Sequence, residues 1–462
     1  MRVAVWTPLP PEPSGIADYN DQLLVAMARD PEVTLTAIVR DEVAEAARAP
    51  RGVTLCAVSD YRASDYDIDL YHLGNNPTFH SYMFQPLLHR PGVVVLHDPA
   101  IADFVEVLLG GRWRRIFEIE AAYNLGVSEF DDRVAGTIGF WDRTELLMSR
   151  RVIESSIVTL VHSSWASAHL TERFAATNVV EVPFAVTIDP TRLHQRTSRR
   201  LTFGVFGNIS FHKRVPEVVE AFLDARGRGL DADLIVAGRR DSADAEAQVR
   251  RLIDDSLYAD DVVVAVDVDQ ADFRSLQEDC DVVVGLRWPT AGETSASLLE
   301  CFALAKAAIV SDVPQMSQFA GEFCRRVSTD SDHEHDELVA AMMAMGEDVT
   351  GARAAGRRAL DYVSEHCRIE DVAATYLEHL RRALEAPGRE GTDAEGPLPL
   401  GVNAIASWAG ATGLAEAGRR AAVALLNEGV AMAIEDVNLW AKVDLSRVPD
   451  QIASLPHGHP YP

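Results

Sequence analysis

Short apolar runs alternate with longer amphipathic stretches along most of this chain, and they do so in two successive rounds. The first round predicts strands at Val3–Trp6, Val33–Val39, Ile68–His72, Val93–Leu96, Ile157–Val161 and Val179–Val182, with a helix from Asp18 to Ala28. Continuous β-branched runs suit strands buried on both faces, as in parallel sheets whose crossovers are helices. Periodicity lapses over 187–200, around Asp189-Pro190 and a basic run, which reads as a connection between domains. The second round predicts strands at Thr202–Phe206, Asp233–Ala237, Val262–Val266, Val282–Leu286 and Ala308–Ser311. Helices are expected over Val215–Arg226, Ser297–Lys306 and much of His335–Glu385. At 462 residues the chain exceeds one ordinary core. The division expected is an α/β domain over 1–190, a second over 191–385, a Gly/Pro-rich linker over 386–400 and a short extension over 401–462. Two doubly wound domains imply a cleft between them, with ligands at the carboxyl ends of the strands.

Charge narrows the partners. The net charge of -27 argues against a broad nucleic-acid surface, which needs clustered Lys and Arg. Five scattered cysteines, without a C-x-x-C pair, read as reduced core thiols. No signal-like apolar segment follows Met1-Arg2, and no run approaches the roughly 20 residues of a membrane span. The expectation is a cytoplasmic protein. The basic-aromatic stretch Gly111–Phe117 has two readings: a helix whose Arg pair with Glu118 or Glu120, or a peripheral contact for an anionic or lipid-linked acceptor.

Four junctions carry the chemistry. The first is Arg287–Glu300, where a strand ends, a polar loop follows and Ser or Thr caps a helix whose free amides suit phosphate. Glu293 and Glu300 are acceptors for sugar and ribose hydroxyls, or simply acids near a helix N-terminus. The second is Gly204–Arg214, a loop carrying Lys213 and Arg214 ahead of a helix. The third is Pro8–Asp18, where Gly15 lets backbone approach a ligand at a helix start. The fourth is the strand end Val93–Asp98, closing on His97-Asp98, with Gly74-Asn75-Asn76 after the preceding strand.

These four junctions, in their order along the chain, resemble the retaining family-4-type glycosyltransferases of the GT-B fold over roughly residues 1 to 385. The run Leu298–Asp312 is similar to that family's helix-and-strand signature behind its donor site. The resemblance implies Glu300 on the ribose, Glu293 near the sugar, and the Thr294 and Ser295 amides on the diphosphate. It also places Gly15, Asn208, Lys213 and Arg214 on the donor, His97 near the transferred sugar, and Asp18, Asn75 and Asp98 on the acceptor side. Two departures stand out. Six residues separate Glu293 from Glu300 where the family has seven, so Gly292 holds the strict register; and Asn208 replaces a cation. The function implied is transfer of a hexosyl group from a UDP- or GDP-type donor to a glycan, lipid-linked or other acceptor, with retention and with no metal or cofactor. The alternative is a non-catalytic nucleotide-sugar-binding domain of a larger carbohydrate-assembly protein. A nucleotide-dependent oxidoreductase is disfavoured, because no G-x-G-x-x-G follows the first strand.

The tail has its own pattern. Ser14–Asp18 recurs as Thr412–Glu416, and the 24 positions from Gly15 to Val39 match the 24 from Gly413 to Val437. The expectation is the opening strand–helix–strand of a second, incomplete glycosyltransferase-like domain.

Overall fold

A computed structural model describes residues 1–111, 115–127, 130, 146–193, 197–385, 401–406, 413–427 and 431–436. Residues Met1–Ala383 form one compact unit and Leu384–Pro462 another.

Within the first unit the strands β1 (Arg2–Trp6), β2 (Thr34–Val39), β3 (Val53–Ala57), β4 (Ile68–Leu73), β5 (Val93–Leu96), β6 (Val158–Val161) and β7 (Val179–Glu181) make one parallel sheet. Its order is β3-β2-β1-β4-β5-β6-β7. A second parallel sheet contains β8 (Leu201–Phe206), β9 (Ala232–Gly238), β10 (Val262–Val266), β11 (Val282–Gly285), β12 (Ala307–Ser311) and β13 (Cys324–Val327), in the order β10-β9-β8-β11-β12-β13. Every residue of the central strands β4 and β8 is buried, as continuous apolar runs demand.

Topology locates the site before any side chain is considered. Each sheet reverses its winding beside its first strand, between β1 and β4 and between β8 and β11. Loops leaving adjacent strands diverge there, which opens a crevice at their carboxyl ends. The four junctions read from the sequence leave β1, β4 and β5 of one sheet, and β8 and β11 of the other.

The last helix of this unit, Ile369–Glu385, belongs by sequence to the second domain but packs on the first. Tyr376 is fully buried there, its hydroxyl 3.2 Å from that of Tyr19. Arg381 reaches Asp30 at 2.6 Å, and Arg29 reaches Glu370 at 3.2 Å. The amide of Ile369 donates to Val186 and that of Val186 to Cys367, so the two crossing segments are bonded where they meet. Tyr376→Phe removes one buried hydroxyl while Tyr19 keeps its bond to the Ala185 backbone. That change should lower stability by about 0.5–1.5 kcal/mol. Urea denaturation should show a lower midpoint at unchanged slope; an unshifted midpoint would mean the contact does not hold the crossing helix.

The second unit is a strand–helix–strand motif. β14 (Gly401–Ala406) and β15 (Ala431–Asp436) pair in parallel across the helix Gly413–Asn427. The sequence repeat therefore coincides with a repeat of local structure: Gly15 and Gly413 each open the helix between two paired parallel strands. The linker 386–400, Thr412, Val437 and the Arg112–Arg114 part of the basic cluster lie outside the described residues. Arg115 of that cluster pairs with Glu118 at 3.4 Å.

Candidate active site

Backbone crowding shapes the donor side. Gly207 follows β8 with φ +117, and Gly238 ends the neighbouring β9. A Cβ on Gly238 would stand 1.5 Å from the Gly207 carbonyl oxygen, so only glycine permits this approach. A Cβ on Gly207 would in turn stand 2.9 Å from the Lys213 Nζ and 3.8 Å from the Ser297 Oγ. The ammonium therefore lies beside the bare Gly207 backbone, facing the first turn of the helix Ala296–Ala303. Ser297 ties that helix to β8 by donating to the Phe206 carbonyl at 3.1 Å. Burial, with help from nearby Arg287, lowers the Lys213 pKa to about 8, while Glu293 and Asp241 act in the opposite sense. Ser295 is buried and precedes the helix as its N-cap residue, though its side chain makes no capping bond. Cation, free amides and exposed backbone converge on one spot, which is chemistry for an anion.

Two neighbours in sequence do not join them. Arg214, at φ +54, is turned away: its Nε donates to Glu334 at 3.0 Å and its Nη1 meets Glu217 at 2.9 Å. The expectation that Arg214 replaces the missing cation is corrected by this pairing. Asn208 is exposed.

Glu293 is held by its own loop. Arg287, only 3% exposed, donates to it at 2.6 Å, and the Thr290 hydroxyl and Ala291 amide each donate at 2.9 Å. Burial would raise its pKa, but Arg287 and these donors outweigh that and hold it below the usual carboxylate value. The Ala291 carbonyl accepts from the Ala100 amide at 3.1 Å, so this loop docks on the first domain just after Asp98. Gly292, at φ +80, sits where a Cβ would stand 2.5 Å from the Trp165 ring. The position in strict family register thus admits no side chain, and the acid stands one residue later. Burial and the nearby Glu293 carboxylate push Asp98 up to about 7. One carboxyl is held ionised and its neighbour is pushed toward the neutral form, an arrangement suited to dividing acid and base roles.

The first domain contributes three histidines at the ends of adjacent strands. The His162 Nδ1 lies 3.0 Å from the Val182 carbonyl, which can only accept, so that nitrogen carries hydrogen. The His162 Nε2 must then accept from the His97 Nδ1 at 3.2 Å, and the His97 Nε2 from the His72 Nδ1 at 3.1 Å. Both ring nitrogens of His97 are used in this chain. Its imidazole therefore offers no free nitrogen to a sugar hydroxyl, unlike the expectation from sequence. Asn75 is likewise occupied: its amide donates to Asp98 at 2.6 Å, its Nδ2 to Asp103 at 2.8 Å, and its Oδ1 accepts from the Phe104 amide.

Gly15 has open space around it at the start of its helix. Asp18, in the first turn, meets Arg239 of the opposite domain at 3.2 Å. Glu300 accepts from the Gln277 amide at 3.1 Å, and burial raises its pKa, with Arg274 opposing and Asp18 adding to the rise. Asp18 thus faces donor-side residues. Arg239, Arg274 and Arg287 were not singled out from sequence; each lies at or beyond a strand end or on a helix that only the fold brings to the cleft. Thr294 lines a cavity of about 310 Å³ between the domains, with His162, Phe184 and Tyr362.

Residues 193–359 match the family model described as glycosyl transferases group 1. No curated protein matches the chain in sequence. Among solved structures, HepE from Anabaena, in complex with UDP and glucose, is 13% identical with TM-score 0.57, covering 83% of this chain and 100% of its own. Sucrose-phosphate synthase from Thermosynechococcus elongatus is 13% identical with TM-score 0.59, covering 83% and 99%. A glycosyltransferase from Rickettsia africae is 12% identical with TM-score 0.56, covering 83% and 99%. At these identities the likeness establishes the fold, which is GT-B. Among the described residues no helix is long and apolar enough to cross a membrane.

Proposed function

We propose that the chain transfers a hexosyl group from a UDP- or GDP-type nucleotide sugar to a carbohydrate or lipid-linked acceptor, in cytoplasmic polysaccharide assembly. The observation that carries this reading is the convergence of Lys213, the bare Gly207 backbone and the helix start at Ser295–Ser297, across the cleft from Asp98 and beside Glu293. In this reading Lys213 and the amides near Thr294 and Ser295 hold the diphosphate, and Glu300 takes the ribose. Glu293, fixed and ionised, sits beside the sugar to stabilise positive charge at the reacting carbon. Asp98, neutral over part of the physiological range, contacts a hydroxyl of sugar or acceptor. His97 orients the Asp98 strand end rather than touching the sugar with its ring. Retention and metal independence are part of the proposal, with Lys213 and helix amides taking the role of diphosphate counter-charge. HepE, of the same fold, was solved with UDP and glucose, in keeping with a uridine donor.

A second reading, nucleotide-sugar binding without transfer, is favoured by Asn208 and by the shifted acid register. A thermal-shift panel of UDP- and GDP-sugars decides the ligand: a donor at about 100 times its Kd should add roughly 2.7 kcal/mol of stability. Release of nucleoside diphosphate, with chelator present, then decides turnover. Stabilisation without release supports the binding-only reading; no stabilisation by any nucleotide sugar defeats both. The unit Gly401–Asp436 is proposed to be the opening of a further glycosyltransferase-like domain, supported by its repeat of the β1–helix–β2 pattern.

A further inference from the structure

A diphosphate carries more negative charge than one lysine offsets, and the loop after β8 supplies only Lys213: Asn208 is neutral and Arg214 is bound by Glu334 and Glu217. The adjacent strand provides another cation. Arg239 immediately follows β9, and its carbonyl accepts from the Ile209 amide at 2.8 Å, which sets its backbone directly against the Gly207–Ile209 turn. From there its guanidinium extends across the cleft to Asp18, making a single contact at 3.2 Å with the side chain 42% exposed. An exposed, one-point pair of this kind is weak and easily exchanged. A guanidinium binds phosphate oxygens in two-point fashion and more strongly. Asp18 in turn lies in the field of Glu300, so two carboxylates already face the place where a nucleotide would add further negative charge.

We propose that Arg239 is the second diphosphate-binding cation, parked on Asp18 when no donor is bound and exchanged from that carboxylate onto the donor's phosphates. This rests on the reading of the cleft as a nucleotide-sugar site. The swap breaks one ion pair between the domains and forms another within the donor half, so donor entry and release of Asp18 are the same event. It also assigns Asp18 a function on the donor side: it keeps the guanidinium extended over the cleft, at the cost of competing with the ligand.

Titration calorimetry with UDP and with inorganic pyrophosphate tests the exchange on the full chain. Arg239→Gln should weaken both probes about tenfold, whereas Asp18→Asn should tighten both several-fold. In the Asp18→Asn/Arg239→Gln double variant the tightening should vanish, because nothing remains to be released. Lys213→Ala serves as the reference. If Lys213→Ala weakens UDP while Arg239→Gln does not, the exchange is overturned and the site reading stands. If neither variant changes affinity, both fall. If Asp18→Asn weakens binding as much as Arg239→Gln, the pair is a domain strut and the exchange is overturned. Unfolding temperatures of the variants identify any loss caused by misfolding, and uridine, which lacks phosphate, should not compete better or worse in Arg239→Gln.

Discussion

Lys213→Ala should weaken nucleoside-diphosphate binding by about ten- to a hundredfold, the equivalent of the roughly 1.5–3 kcal/mol that a charge-assisted hydrogen bond contributes. The ammonium is beside Gly207 with no salt bridge within 4 Å among the described residues, so its charge is not spent on a protein carboxylate. Its pKa near 8 reflects burial and the nearby Arg287 guanidinium; a bound diphosphate would raise it and draw a proton in. Two consequences follow. Affinity should fall above pH 8 in the parent and not in Lys213→Ala, and folding should be unaffected because the lysine holds no structural partner. Titration calorimetry at pH 7 and 9 measures the first and a urea midpoint the second. An alanine variant that binds as tightly as the parent at pH 7 would put the phosphates elsewhere.

How much of this was legible depends on what each residue's role requires. The central strands were readable because burial on both faces demands unbroken apolar runs, as in Val93–Leu96 and Val282–Gly285. Edge strands escape that demand. β3 alternates Thr and Cys with one buried end, and β13 exposes Arg325 and Arg326, so neither had a signal of its own. The placement of Lys213 in a loop after a strand and of Glu300 in the helix Ala296–Ala303 was legible because local pattern fixes both. Arg239, Arg274 and Arg287 were not, since their meaning comes from which strands lie side by side. Arg287 in particular reads as an ordinary loop cation until its burial against Glu293 is seen. The histidines are an intermediate case. Ile68–His72, Val93–His97 and Val158–His162 each carry a histidine at or just past the carboxyl end of an apolar run. Parallel neighbours β4, β5 and β6 bring those ends together, and the recurrence was the available sign. A one-residue view of His97 cannot show that both its nitrogens face other imidazoles.

That histidine chain should make the protein unfold steeply in acid. His72 and His97 are buried and held well below the usual imidazole value, by burial first and then by the neighbouring His162 and His80 imidazoles; burial lowers His162 to about 4 and His80 to about 3. Each link in the chain passes one hydrogen, and the sequence ends at the His72 Nε2, which has no partner among the described residues. A proton added there would leave a buried charge with no acceptor. In the unfolded chain all four imidazoles titrate near 6.5. Below that value the unfolded state binds protons the folded state refuses, so folded stability falls as pH drops from about 6.5 toward 4. Asp98 works in the opposite direction: with its folded pKa near 7, it favours the folded state at low pH and loses that contribution as pH rises toward 7. Among these five groups the four histidines outweigh the one carboxyl near pH 5, so unfolding takes up protons there and stability falls with pH. Urea midpoints measured from pH 7.5 to 5 should fall accordingly. His80→Gln, at the side of the chain, should reduce the slope by about one proton. Stability that stays level down to pH 5 would show that these imidazoles are charged in the folded protein, and the neutral chain would be wrong.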